Sequence, residues 1–128
     1  MDVYGNSRLQ LGVLFAVALV LAPVAAHAGC TLYQHRDFQG ASYYLEGGSE
    51  MVMTGKERLG VSRSHGGTTY YEPSWNDKLS SFKVSAGCTL TLYQHANKTG
   101  SHFISSKSYS YVGSGWNDQA SYAGCSCR

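Results

Sequence analysis

Charge is scarce in this sequence. Only 14% of residues are charged, and ten Lys and Arg against eight Asp and Glu leave a net +2 with no run of basic residues. A surface that grips a polyanion clusters its cations, so nothing here points to nucleic-acid binding. Sparse charge combined with 12% aromatic residues also excludes a chain held open by self-repulsion, so at least part of it buries a core. At 128 residues there is no room for a long multidomain enzyme. The Gly-x-Ser-x-Gly elbow, the His-Glu-x-x-His helix and the Gly-x-x-x-x-Gly-Lys-Ser loop are all missing, and with them the usual handles of hydrolases, zinc proteases and nucleotide-binding proteins. Helical periodicity is absent from residue 29 onward.

The one long apolar run, residues 11–22, follows Arg8 and leads through Pro23 to the small-residue sequence Ala26-His27-Ala28. A membrane span wants about 20 apolar residues, and no stop-transfer charges follow this shorter run. It reads as a secretory signal peptide over residues 1–28, cleaved before Gly29, with the mature domain at 29–128 exported to an extracellular or periplasmic space. Lipid attachment at Cys30 is the rival reading, but His27 stands where lipoprotein signals usually carry Leu.

A mature domain this small buries only about two thirds of its unfolded surface, so cross-links are expected. The four cysteines, Cys30, Cys88, Cys125 and Cys127, all lie in the mature part, and an even count in an oxidising compartment favours disulfides. A direct bridge between Cys125 and Cys127, two residues apart, would be strained. Each of them is therefore expected to pair with one of Cys30 and Cys88, with the partner left open. A soft-metal site at Cys125 and Cys127 is disfavoured because no second Cys/His cluster accompanies the pair.

The domain is an internal repeat. Thr31-Leu32-Tyr33-Gln34-His35 recurs unchanged as Thr91-Leu92-Tyr93-Gln94-His95, and Gly40 recurs as Gly100. Further on, Trp75-Asn76-Asp77-Lys78-Leu79-Ser80-Ser81 corresponds to Trp116-Asn117-Asp118-Gln119-Ala120-Ser121-Tyr122. The first offset is 60 residues and the second 41, so the first copy carries 19 extra residues between its two signatures. Each copy reads as strands: 30–35 and 41–46 around a turn, then 80–84; and 89–95, 101–104, 108–112 and 121–125. Short strands with Gly-rich turns give an all-β sandwich of two four-stranded units, 29–86 and 87–128.

Tyr33-Gln34-His35-Arg36-Asp37-Phe38-Gln39-Gly40 resembles the first-hairpin signature of the βγ-crystallin family: two aromatics spaced to close over a hairpin whose Gly makes the tight turn. The second copy keeps Tyr93 and Gly100 but has Lys98 in place of the inner aromatic, so its corner is expected to be weaker. Asn76-Asp77-Lys78-Leu79-Ser80-Ser81 is similar to that family's calcium motif, and the second copy departs from it only at Tyr122. The resemblance implies two Greek-key motifs in one sandwich, no enzymatic activity, and one or two Ca2+ ions as partner.

Calcium wants six to eight hard oxygen ligands, and an Asn-Asp-x-x-Ser turn offers carboxylate, carbonyl and hydroxyl together. The resemblance implies the Asp77 carboxylate, the Lys78 carbonyl and the Ser80 hydroxyl as ligands in one copy, and Asp118, the Gln119 carbonyl and Ser121 in the other. Loops of both repeats are expected to contribute to each site, with Asn76 and Asn117 bracing them and Ser81 bonded within its strand. The same residues also read as ordinary Asx turns. Few carboxylates per site imply modest affinity.

The same architecture is similar to that of secreted metalloproteinase inhibitors and killer-toxin-like proteins. In that alternative, an extracellular protein such as a protease is the partner, and the segment 47–74 enters its cleft. His35 and His95 are expected to be structural because they are duplicated. Tyr43, Tyr44, Tyr70, Tyr71, Tyr109 and Tyr111, at strand spacing, read as core and corner residues before they read as a binding face.

Overall fold

The computed structural model describes residues 28–53, 60–64 and 67–128. The expected leader, apart from Ala28, and residues 54–59 and 65–66 of the first copy lie outside the described residues. Nine strands follow in order: β1 (Gly29–His35), β2 (Gln39–Glu46), β3 (Glu50–Val52), β4 (Gly60–Ser64), β5 (Gly67–Tyr71), β6 (Ser81–Val84), β7 (Cys88–Tyr93), β8 (His102–Ser105) and β9 (Tyr122–Cys127). They form a three-stranded sheet of order β2-β1-β6 and a six-stranded sheet of order β4-β5-β3-β9-β7-β8. Among the described residues, no helix is long and apolar enough to cross a membrane.

The two repeats are visible in the pairing. β1 lies between β2 and β6 as β7 lies between β8 and β9, all antiparallel. The third strands are exchanged. β3, from the first copy, pairs antiparallel with β9 of the second, and Tyr109, from the second copy, bridges to Phe82 on β6 of the first. Where the sequence predicts a strand at 108–112, the structure has only this bridge, held by reciprocal backbone bonds of 3.0 Å between Phe82 and Tyr109. In the stretch of the first copy that carries the insertion, β4 and β5 pair antiparallel, and β5 runs parallel to β3 and extends the larger sheet.

Period-two alternation fills the sandwich. Cys30 and Leu32 from β1, Cys88, Leu90 and Leu92 from β7, and Leu45, Met51, Leu79 and Phe82 are all at most 1% exposed. Phe82 is the largest of the fully buried side chains, edge-on to Phe103 at 6.0 Å and against Tyr109 at 5.5 Å. The repeated Gly and His explain one another. Gly40 (φ 79°) and Gly100 (φ 83°) adopt the left-handed conformation, and a Cβ there would stand 2.4 Å and 2.7 Å from the imidazoles of His35 and His95. Both histidines therefore pack across their hairpins, which accounts for their duplication.

Candidate metal centre

Both Asn-Asp-x-x-Ser segments fold into the same turn. In the first, Pro73 opens a single 3₁₀ turn to Trp75 and the Lys78 N–H closes on the Trp75 carbonyl at 3.2 Å; in the second, the Gln119 N–H closes on Trp116 at 3.1 Å. Asp77 (φ 56°) and Asp118 (φ 58°) both sit in the left-handed region, where Asp is among the better-tolerated residues. The turns are then locked back to back. The Asp77 N–H donates to the Ala120 carbonyl and the Asp118 N–H to the Leu79 carbonyl, each at 3.1 Å. Ser80 and Ser121 are anchored alike, their N–H groups donating to Tyr33 and Tyr93 at 3.0 Å.

This reciprocal lock carries side chains across the repeat boundary. The Ser80 hydroxyl donates to Asp118 Oδ1 at 3.4 Å, and the Ser121 hydroxyl to Asn76 Oδ1 at 2.5 Å. Ser80 is thus brought to the carboxylate of the other copy. Asn76 and Asn117 brace the turns by donating to the neighbouring carboxylates of Asp77 and Asp118, each at 3.3 Å. One acceptor is orphaned: Asn117 Oδ1 is buried without a hydrogen-bond partner. Beside the paired turns opens a cavity of about 760 Å³ lined by Asp77, Lys78, Ser80, Asn117 and Asp118 together with Gln34, His35, Arg36 and Tyr111. Arg36 on that wall is held over the Tyr111 ring at 4.0 Å.

The sixth motif positions differ in role. The Ser81 hydroxyl bonds outside its own strand: it donates to the His35 carbonyl at 2.6 Å and accepts from the Phe38 N–H at 3.1 Å, pinning the hairpin fold. Tyr122, its counterpart, is buried and donates to Glu50 Oε1 at 2.6 Å. Glu50 also accepts from the Thr69 hydroxyl at 2.8 Å and faces Lys98 Nζ at 3.5 Å. Burial pushes the Glu50 carboxyl up, but the hydrogen bonds from Tyr122 and Thr69 and the Lys98 ammonium outweigh it and hold the group below its ordinary value. The Tyr122 phenol is pushed well above its ordinary range by burial and by the Glu50 carboxylate. Sequence reasoning missed Glu50, which lies in the stretch read as part of the insertion; its position three residues after Gly47 and on a strand of the other repeat's sheet has no local signal.

The peptidase inhibitor family I36 matches residues 28–105, from the start of β1 through the end of β8. The chain belongs to peptidase inhibitor family I36. No curated protein matches this I36 chain in sequence. Its structure is similar to a βγ-crystallin domain from Flavobacterium johnsoniae (TM-score 0.59, 24% identity, covering 77% of this chain and 94% of that one). A βγ-crystallin domain from Clostridium beijerinckii is alike at TM-score 0.57 and 21% identity over 77% and 97% of the two chains. The N-terminal domain of Protein S is alike at TM-score 0.56 and 21% identity over 78% and 97%. The I36 chain has the βγ-crystallin fold.

All four cysteines of the I36 chain are in disulfides, Cys30–Cys125 and Cys88–Cys127. Cys125 and Cys127 each take one of the two upstream partners, as their spacing implies. No thiolate remains for a soft metal, although the sulfurs of Cys88, Cys125 and Cys127 lie within 4.8 Å of one another. Within the segment 47–74, β3, β4 and β5 are built into the larger sheet, with β3 between β5 and β9.

Proposed function

We propose that the paired turns bind calcium and that the ion clamps the two repeats together. The observation that carries this reading is the crosswise juxtaposition of Ser80 with Asp118 and of Ser121 with Asn76, beside a buried, unpartnered amide oxygen on Asn117. Carboxylate, hydroxyl, amide and backbone carbonyl oxygens are the hard donors that calcium takes, and the residues present fit it. One ion would draw on Ser80, the Lys78 carbonyl and Asp118, the other on Ser121, the Gln119 carbonyl and Asp77, with Asn76 and Asn117 holding the loops. The bound ion supplies a positive centre that neutralises the facing carboxylates. Calorimetric titration of the oxidised, metal-stripped protein tests the reading. Saturable binding, with one site lost in Asp77→Ala and the other in Asp118→Ala, is expected. A folded protein that takes up no calcium at millimolar concentration overturns it.

Family membership favours a second role, non-catalytic peptidase inhibition outside the cell. The two disulfides support export to an oxidising compartment, and the apolar run 11–22 followed by Ala26-His27-Ala28 supports a cleaved leader. A rigid body of this kind suits inhibition, because a preorganised surface loses little entropy on binding. Progress curves of secreted metallopeptidases with the intact protein test this role, and limited proteolysis within residues 47–74 should abolish inhibition. Full peptidase activity at inhibitor excess removes the reading for the enzymes assayed. Edman sequencing of the exported protein is expected to begin at Gly29.

A further inference from the structure

The two disulfides are not independent. Cys125 and Cys127 alternate along β9 on the same face, which puts their sulfurs 3.9 Å apart, and Cys88 Sγ completes a cluster with all three sulfurs within 4.8 Å. Access to the cluster is graded. Cys30 is fully buried, Cys88 is 1% and Cys125 4% exposed, and Cys127 alone of the four is more open. Gly47 packs against Cys127 on one side, where even a Cβ would stand 2.9 Å from its sulfur, so a reductant reaches Cys127 from the remaining, open side. The bonds also differ in what they join. Cys88–Cys127 links neighbouring strands of the larger sheet, while Cys30–Cys125 ties β1 of the smaller sheet to β9 of the larger.

We propose that Cys127 is the entry site of a thiol–disulfide relay through which a dithiol reductant opens the buried Cys30–Cys125 bond. The reductant's thiolate attacks Cys127 Sγ, forming a mixed disulfide and expelling the Cys88 thiolate. Cys88 then attacks Cys125 Sγ, forming a Cys88–Cys125 bond and expelling the Cys30 thiolate. The reductant's second thiol resolves the mixed disulfide. One dithiol has been oxidised to its cyclic disulfide, one protein disulfide has been lost, and the two thiol protons end on Cys30 and Cys127. Exchange of this kind needs a nucleophilic thiolate within reach of the attacked sulfur and a leaving thiolate, and both are in place around Cys125. The outcome is selective: the link between the sheets is released while β7 and β9 stay joined. The protein is thereby a redox-sensitive device whose buried staple is opened from its rim.

Limiting dithiothreitol, followed by acid quench, alkylation and peptide mapping, tests the relay. The one-disulfide species is expected to carry label on Cys30 and Cys127 and a Cys88–Cys125 bridge. Label on Cys88 and Cys127 with Cys30–Cys125 intact overturns the proposal. A second arm uses the folded double variant Cys88→Ser/Cys127→Ser, in which Cys30–Cys125 has no entry thiol. Its reduction is expected to be at least about tenfold slower than in the parent, since only direct attack on a buried sulfur is left. An unchanged rate overturns the relay.

Discussion

Tyr122 stands to Tyr93 as Phe38 stands to Tyr33: the ring centroids are 5.6 Å apart in both pairs, at interplanar angles of 66° and 65°. The second corner is therefore not the weakened version that Lys98 in place of an aromatic implies. Its second ring comes from β9, at the position where the first copy has Ser81, and Lys98 lies over that ring at 5.1 Å while pairing with Glu50. Two departures from the repeat, Phe38 to Lys98 and Ser81 to Tyr122, compensate one another in space.

Tyr122→Phe keeps the ring pair and removes the hydroxyl that donates to Glu50. A hydrogen bond to a charged group is worth about 1.5–3 kcal/mol, so denaturant unfolding should show a loss in that range. Tyr122→Ser, which restores the motif's sixth residue, should cost more because it also deletes the corner.

The Glu50 network makes stability depend on acid. Because the folded-state carboxyl is held below its ordinary 4.5, the contribution is complete above that value and is lost as pH falls through the folded-state value. Melting temperatures measured from neutral pH downward should fall more steeply for the parent than for Glu50→Gln, whose curve should be flatter on the acid side.

Calcium should raise the melting temperature if the clamp forms. At free ion a hundredfold above the dissociation constant, each site adds about 2.7 kcal/mol. Scanning calorimetry of the parent with and without calcium, beside Asp77→Ala and Asp118→Ala, should show the increment halved in each variant.

The disulfides differ in the loop they close, 95 residues apart for Cys30–Cys125 and 39 for Cys88–Cys127. Chain entropy makes the longer loop worth about 0.8 kcal/mol more. Equilibrium unfolding of the two double Cys→Ser variants should rank them in that order.

Phe82→Ala removes the fully buried ring that Phe103 and Tyr109 pack against. A loss of about 3–5 kcal/mol is expected, the usual range for a large cavity. Because Tyr109 is the only bridge of the second copy's third segment among the described residues, that region should lose amide protection first in hydrogen exchange.

By itself the sequence determined what is local: the strands, from period-two alternation; the hairpin glycines, from the positive φ they must adopt; and two like turns, from Asn-Asp before a strand. Duplication in one chain told that two similar units must share a core. Only the tertiary structure decided which groups of those units meet. It chose Cys125 for Cys30 and Cys127 for Cys88, crossed Ser80 to Asp118, exchanged the third strands, and delivered Tyr122 and Glu50 to a corner that Lys98 seemed to leave open. The physical reason is one of range. Backbone preference and side-chain alternation act over a few residues, whereas these contacts join positions tens of residues apart, up to 95, and exist only once two sheets have stacked in a single register.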